Sequence, residues 1–235
     1  MQAITQNAQN EGRLGLNELS DKCRKSIEAK MSRRTRDVGE VIFYEDDQCD
    51  GVHFVISGLI GLRKSDADGN SVLLRLAYAG DFLGCQSVLA DSNHTVEAEV
   101  LERAETGFIP RETFVTLIAN DPEIALHFLR RTSGDLMEVE FRSFEYMTQP
   151  ARARVAHLLW SLLDRYTETT QNGATSLRIP FCRKDMAALL GITPETISRV
   201  IRVLNDDGVA QFTNRTVHVP SLDSLHNEFT HQLAA

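Results

Sequence analysis

Four polar side chains near the end of the chain combine residue types and spacing that could do chemistry: Glu195, Ser198, Arg199 and Arg202. Spaced three or four positions apart, they share one face of a helix. Arginine can donate two hydrogen bonds to O6 and N7 of guanine, a carboxylate can accept one from N4 of cytosine, and serine suits either edge. We therefore predict a helix that reads bases in the major groove of DNA, with an ordinary amphipathic helix and a solvated face as the alternative.

Two short helices around a tight turn are predicted to position this face. The first covers about 183–190, and a glycine then breaks its pattern. Thr193 can cap the second helix through its hydroxyl, and Pro194 suits the first helical position, where no backbone N–H is needed. The opposite face of the second helix is apolar at Ile197, Val200, Ile201 and Leu204. This arrangement is a helix-turn-helix.

The segment after the motif reads as a two-stranded wing, because apolar runs at 209–212 and 217–219 flank a polar turn. Arg152 and Arg154, earlier in the chain, either touch phosphates or stay solvated. The residues predicted to position the DNA backbone are Thr193, Thr196, Arg202, Arg183 and, at the tip of the wing, Arg215.

The string RKDMAALLGITPETISRVIRVLNDDGVA at 183–210 resembles the DNA-reading motif of the cyclic-AMP receptor protein and fumarate–nitrate reductase regulator superfamily (CRP/FNR). Glu195, Ser198 and Arg199 are similar to the Glu, Ser and Arg with which the FNR and FixK branch reads a TTGA-type half-site. The receptor-protein branch normally has Arg at the position of Pro194 and Gly at that of Ser198. The resemblance implies a homodimeric transcription regulator on palindromic double-stranded DNA, with RNA polymerase as a partner when it acts as an activator.

The length of the chain suits two domains, and its acidic residues are concentrated in the first of them. The 235 residues carry a net charge of −8 and are 42% hydrophobic, enough for two cores. From Pro150 onward, 9 Lys and Arg face 8 Asp and Glu, whereas the preceding part has 16 against 25. The DNA-contacting part is therefore the less acidic one, and local cations decide DNA affinity. No membrane span and no signal-peptide core is evident, so we expect a cytoplasmic protein.

Short β-rich runs separated by glycine extend from 39 to about 114, with strand candidates at 41–43, 52–56, 59–62 and 72–76 and a hairpin turn at 68–70. Such runs favour an antiparallel sandwich or barrel. The sequences GE at 39–40, ISG at 56–58, DG at 68–69 and GDF at 80–82 resemble the β-roll of the same superfamily, the cyclic-nucleotide-binding fold.

The phosphate-binding segment of that fold is degenerate in this chain. Cyclic-nucleotide binders have Gly-Glu after the phenylalanine, then Arg followed by Ser or Thr about ten residues on. Here Gly84 is followed by Cys85, and His94-Thr95 stands where the Arg should begin. Arginine neutralises a buried phosphate through two forked donors, which a neutral imidazole cannot do. Cyclic AMP is therefore not the expected ligand, and the roll is a sensor for another effector or a scaffold.

No cofactor is evident, and other sensor chemistries find little support. An iron–sulfur cluster needs about four thiolates, and the four cysteines are scattered without a CxxC pair. Haem needs only an axial ligand, for which the candidates are His53, His94 and Cys85, each with packing or a surface position in the sheet as its alternative. No HxH metal triad and no nucleophile–base pair is present, so we predict neither a metal site nor an enzyme.

The segment 121–148 reads as one long helix, with Asp121 as its cap and Pro122 in its first position. Apolar residues form two adjacent stripes, which lets a helix face its own domain and a partner helix at once. The resemblance implies that this helix forms the dimer, and the alternative is a buried helix in a monomer. The expected dimer contacts are Leu129, Leu136, Phe144 and Met147.

Cys182 occupies the cap position of the first helix of the motif, next to Arg183 and Lys184. A helix N-terminus beside two cations favours the thiolate form and hence oxidation. We hypothesise that oxidation of Cys182 weakens DNA binding; a tolerated substitution is the alternative.

The predicted fold is α+β, and the predicted function is DNA binding. The alternative output is a protein–protein contact made by a ligand- or redox-sensing module, with the helix-turn-helix used for packing. The expected parts are a mobile tail at 1–15, an antiparallel β-roll sensor domain at 16–120, a dimerisation helix at 121–148 and a winged helix-turn-helix at 149–235.

Overall fold

The computed structural model describes residues 15–66, 68–171 and 174–230. The chain divides into two compact units between Val139 and Glu140. Of the predicted tail at 1–15, all but Gly15 lies outside the described residues. Within the described ranges, no helix combines the length and the apolar character needed to cross a membrane.

The first unit is built on a six-stranded antiparallel sheet. After a 3-10 turn at Leu16–Glu18, its elements are α1 (Asp21–Glu28), β1 (Ser32–Arg36), β2 (Val41–Phe43), β3 (Gly51–Ser65), β4 (Ser71–Tyr78), β5 (Phe82–Leu83), α2 (Cys85–Leu89), β6 (Glu97–Pro110) and α3 (Arg111–Asn120). The strand order is β1-β6-β3-β4, and β2 also pairs with β6 and β5 with β3. This confirms the antiparallel roll.

One continuous strand, β3, replaces the two strands predicted at 52–56 and 59–62. The join is a bulge at Gly58, where φ is +88° and a Cβ would lie 2.4 Å from the carbonyl oxygen of Arg103. The predicted hairpin turn follows β3, and the Asp66 carboxylate accepts hydrogen bonds from the amides of Asp68 and Asn70. Glycine at position 58 thus lets the chain bend without ending the strand.

The long helix α4 (Pro122–Thr148) begins where predicted, since the Asp121 carboxylate accepts from the amides of Glu123 at 3.0 Å and Ile124 at 3.4 Å. Its N-terminal half packs Ile124 and Phe128 into the core of the first unit.

A buried ion pair holds α4 to the roll. The Arg131 guanidinium donates to Asp81 at 2.6 Å and to the Gly80 carbonyl at 3.2 Å, and both charged side chains are at most 2% exposed. The same guanidinium lies 5.5 Å from the ring centroid of Phe82. Asp81 also accepts from the amide of Tyr78 at 2.8 Å. These contacts satisfy a pair of charges that would be costly to bury alone.

The second unit contains the end of α4 and the helix-turn-helix. Its further elements are α5 (Ala151–Tyr166), β7 (Thr167–Gln171), β8 (Ala174–Arg178), α6 (Arg183–Leu189), α7 (Pro194–Asp206), β9 (Gln211–Thr213), β10 (Thr216–Val219) and α8 (Leu222–Thr230). The four strands form an antiparallel sheet with the order β7-β8-β10-β9, so the predicted two-stranded wing, β9 and β10, is the edge of a larger sheet.

We predict that Asp81→Asn strongly destabilises the first unit, because the Arg131 guanidinium is left buried without its counter-charge. Removing one member of such a pair costs about 3–5 kcal/mol, whereas replacing both by apolar residues is often neutral. Urea denaturation followed by circular dichroism should therefore show a large loss for Asp81→Asn and a smaller one for the double variant Asp81→Leu, Arg131→Met. Arg103→Ala, which removes an exposed arginine of β6, is the control. A single variant as stable as wild type would contradict the role of the pair.

Candidate nucleic-acid interface

Helix α7 separates its polar and apolar residues as the spacing predicts. Ile197, Ile201 and Leu204 are at most 4% exposed. The side chains of the other face are exposed: Glu195, Ser198, Arg199 and Arg202. A ridge of this kind is available for a partner outside the chain; its use for reading bases stays a prediction.

The start of α7 is fixed by local hydrogen bonds. The Thr193 hydroxyl accepts from the amide of Thr196 at 3.2 Å, and Pro194 occupies the first turn, which confirms the predicted cap. The turn before it passes through Gly191, where φ is +61°. Thr196 itself is half-buried and its hydroxyl lies 3.1 Å from that of Thr193. A capped start gives the polar face of α7 one orientation.

The chemistry of the ridge combines an ionised acceptor with cations. A hydrogen bond from a backbone amide, another from the Thr193 hydroxyl and the nearby charge of Arg199 lower the pKa of Glu195. The Ser198 hydroxyl donates to the Pro194 carbonyl at 2.8 Å, so its lone pairs remain to accept from a ligand. Near neutral pH, Glu195 therefore presents the carboxylate that an amino group of a base requires.

The candidates for phosphate contact divide into two groups. Arg183, at the start of α6, and Arg215, between β9 and β10, are exposed. Arg152 and Arg154 are half-buried and bonded within the unit: Arg152 pairs with Glu228 at 2.6 Å and with Asp207, and Arg154 donates to a backbone carbonyl of the motif at 2.6 Å. Sequence spacing could not reveal that these two arginines hold the motif together.

Cys182 is the N-cap of α6, as predicted, and its thiol is exposed. The thiol lies 3.1 Å from the Asp185 carboxylate and donates to it, and the Cys182 amide donates to the same carboxylate at 3.4 Å. Asp185 thus supplies the reciprocal contact of a capping box. The sensitivity of this thiol to oxidation stays a prediction.

Helix α4 exposes a long apolar stripe within one chain. Leu129 is 64% exposed, Leu136 59%, Phe144 53% and Met147 80%. The same helix exposes four further apolar side chains: Leu126, Met137, Val139 and Phe141. Contiguous apolar surface of this kind marks an interaction site. A role in a dimer stays a prediction.

The degenerate phosphate segment is apolar and neutral. Gly84 has φ +81° and precedes α2, and Cys85 at its start is 1% exposed, with burial raising the pKa of the thiol to about 11. His94 is 2% exposed and stacks on Phe43 with ring centroids 3.7 Å apart. Burial lowers the pKa of His94. Thr95 is exposed, and only its carbonyl has a described contact, with Lys64 at 3.0 Å.

The haem-ligand candidates are buried packing residues. His53 is 6% exposed and lies between Phe43 and Phe108, with centroid distances of 5.8 Å and 4.8 Å. Among the described residues, no group of three or more His, Cys, Asp or Glu side chains is placed to hold a metal ion. The interior of the roll, as described, offers aromatic and neutral imidazole surface.

Comparison with known proteins covers both units. Residues 33–121 match the cyclic nucleotide-binding domain family, and residues 153–228 the Crp-like helix-turn-helix domain family. The cyclic AMP receptor protein of Thermus thermophilus is 30% identical over 193 residues, 80% of this chain and 84% of that protein. The nitrogen fixation regulation protein FixK of Azorhizobium caulinodans is 24% identical over 180 residues, 77% of this chain and 68% of that protein. The solved structure of FixK2 from Bradyrhizobium japonicum superposes with a TM-score of 0.71 at 24% identity, covering 84% of this chain and 96% of that one.

Acid should destabilise the roll through His53. Burial, together with the nearby charges of Arg36 and His94, lowers the pKa of His53 from 6.5 to about 3. Below pH 6.5 the unfolded chain therefore binds a proton at His53 that the folded chain does not bind. The free energy of unfolding is highest above pH 6.5 and falls as the pH drops toward 3. At pH 5 the loss is roughly 2 kcal/mol.

Urea denaturation at pH 7.5 and pH 5.0, followed by circular dichroism, measures this loss. His53→Phe keeps an aromatic ring in place and should lose less stability on acidification than wild type, whereas His226→Phe in the second unit should behave like wild type. An unchanged pH dependence in His53→Phe would rule out this residue as the cause.

Proposed function

Because the chain belongs to the CRP/FNR family of transcription regulators, with a helix-turn-helix DNA-binding domain, we propose that it binds, as a homodimer, a palindromic DNA site made of TTGA-type half-sites. We further propose that binding needs no cyclic AMP. The observation that carries the proposal is the exposed polar ridge of α7 above a buried apolar underside.

In this proposal the ridge lies in the major groove and reads the half-site directly. Arg199 donates to guanine, Glu195 accepts from the amino group of cytosine, and Ser198 bonds to a neighbouring base edge. The exposed side chains at the rim, Arg202, Arg215 and Arg183, bind phosphates and set the register, with Thr193 and Thr196 at the N-terminus of α7.

A two-fold dimer is required because two such ridges must enter major grooves about 34 Å apart. The exposed stripe of α4 supplies a surface with the right chemistry, since apolar side chains at heptad-like spacing pair with the same stripe of a second copy. RNA polymerase is the further partner that we propose when the bound dimer activates transcription.

The relative from Thermus thermophilus is a cyclic AMP receptor protein, but two residues of this chain do not suit a cyclic nucleotide. A cyclic nucleotide needs a cation for its phosphate, and position 94 holds a buried histidine whose pKa is lowered. It also needs an acceptor for its ribose, and position 85 holds a buried thiol. Neither side chain can replace the charged group. These residues support regulation that is independent of cyclic AMP.

We expect Arg199→Ala to weaken binding to a TTGA-type palindrome by ~1–3 kcal/mol and to relax specificity at the G·C pair of the half-site. Arg215→Ala removes the same charge from the wing and should instead weaken binding to all sequences alike and lower the salt slope by about 1. Fluorescence anisotropy over a salt series with matched and mutated duplexes measures both effects. Arg103→Ala in the roll is the control. Uniform weakening by Arg199→Ala would contradict base reading.

Leu136→Glu should convert the protein to a monomer, because a carboxylate would be buried in an apolar helix pair. Leu89→Glu makes the same change at a leucine of α2 that is 49% exposed and should leave the dimer intact. Analytical ultracentrifugation gives the masses, and anisotropy tests whether the monomer loses affinity for the palindrome. A dimeric Leu136→Glu variant would show that α4 is not the interface.

We expect that cyclic AMP does not bind to the protein and does not change its affinity for DNA. Isothermal titration of the purified protein at millimolar cyclic AMP is expected to show no binding, and anisotropy with and without the nucleotide is expected to give the same Kd. Binding to the palindrome only in the presence of cyclic AMP would overturn this part of the proposal.

A further inference from the structure

Two side chains outside the helix-turn-helix take the last carbonyls of its first helix. The Tyr146 hydroxyl, from the last turn of α4, donates to the carbonyl of Leu189. The Arg154 guanidinium, from the first turn of α5, donates to the carbonyl of Leu190 at 2.6 Å. The same guanidinium lies 5.4 Å from the centroid of the Tyr146 ring, so the two side chains form one unit.

These bonds add to the ones that the end of α6 makes with its own backbone. The amides of Gly191 and Ile192 bond to the carbonyls of Ala188 and Ala187, each at 3.0 Å. The next two carbonyls in the chain are those of Leu189 and Leu190, which receive Tyr146 and Arg154. Carbonyls at the end of a helix have no intrahelical partner and carry its partial negative charge, so a hydroxyl donor and a cation both suit them.

The Tyr146 ring also packs directly on the turn of the motif. A Cβ on Gly191 would lie 3.3 Å from the ring, and burial raises the pKa of Tyr146, which keeps its hydroxyl protonated as a donor. Only Ile192 separates this glycine from Thr193, the cap of α7. The position of the turn therefore determines where α7 begins and which way its first residues point.

The other end of α7 is held by the same helix that carries Arg154. Arg152 pairs with Asp207, which directly follows α7, and makes two bonds of 2.6 Å with Glu228 of α8. The Nδ1 atom of His157 in α5 lies 2.8 Å from the Glu145 carboxylate of α4, next to Tyr146. Residues near the junction of α4 and α5 thus contact the segments at both ends of the recognition helix α7.

We propose that Tyr146 and Arg154 are positioning residues for specific DNA binding, which hold the turn of the motif against the last turn of α4 and thereby aim α7. This inference rests on the proposed function and adds residues that touch no DNA. The same turn of α4 exposes Phe144 and Met147. Pairing of that stripe with a second copy would set the direction of both recognition helices through Tyr146.

Tyr146→Phe keeps the ring and removes one hydrogen bond, and Arg154→Lys keeps the charge without the planar guanidinium. We expect each to weaken binding of the full-length protein to the TTGA-type palindrome by about tenfold, with binding to a scrambled duplex of the same length changed by less than about twofold. Tyr44→Phe and Arg103→Lys make the same changes in the first unit and should have no effect. Equal loss on both duplexes, or no loss, overturns the proposal.

Hydrogen–deuterium exchange without DNA separates this inference from the proposed function. Tyr146→Phe should speed exchange of the amides at 191–197 while leaving the strands β8 and β10 unchanged. Unchanged exchange at 191–197 overturns the positioning role even if DNA binding falls. If wild type fails to prefer the palindrome, the proposed function is overturned, and the exchange result still decides whether Tyr146 orders the turn.

Discussion

The direction in which the polar face of α7 points depends on the burial of one apolar stripe. Ile197, Ile201 and Leu204 pin α7 to its unit, and because the helix has 3.6 residues per turn, their burial leaves Glu195 and Arg199 nowhere to point but outward. A helix held only by hydrogen bonds at its ends could rotate, whereas one with a buried stripe cannot without exposing it. The packing of the apolar side therefore fixes how α7 is rotated about its own axis, and with it the direction in which the polar side chains point.

In the roll, the fold does not depend on the residues that would bind a ligand. Its strands, hairpin and glycine bulge build the shape of a cyclic-nucleotide-binding fold, whereas the two positions at which we expect the partners of a charged ligand contain a buried thiol and a stacked imidazole. The fold is kept by backbone pairing and apolar burial, neither of which requires the charges that bind a phosphate. A shape inherited by a family thus does not imply its ligand.

The sequence predicted the caps and turns that are formed by residues close together in the chain. The cap and proline before α7, the Asp121 cap of α4 and the turn after β3 all lie where spacing indicated, since each is made within a few residues. Strands β1 and β6 were missed because their charged side chains pair across the sheet, as Arg33 does with Glu105, and hide the alternation. The antiparallel pair of β7 and β8 was not predicted, because its residues are mostly polar and show no apolar alternation.

Long-range contacts were beyond any local pattern. Asp81 and Arg131 lie 50 residues apart and meet in the core. Tyr146 and Leu189 lie 43 residues apart and meet at the turn of the motif. From the sequence, Arg154 was expected either to touch a phosphate or to stay solvated; only its bond to the Leu190 carbonyl shows that it contacts the motif within the unit. The exposed ridge was thus predictable, but not the contacts that aim it.

The most direct measurement of the central claim is binding to duplexes with two TTGA half-sites whose spacing is varied. We predict two chains per duplex when the half-site centres lie about 34 Å apart, with affinity falling by about 10²-fold or more when five base pairs are inserted, because the two ridges then face opposite sides of the DNA. Affinity that does not depend on the spacing, or one chain bound per duplex at every spacing, would contradict the account.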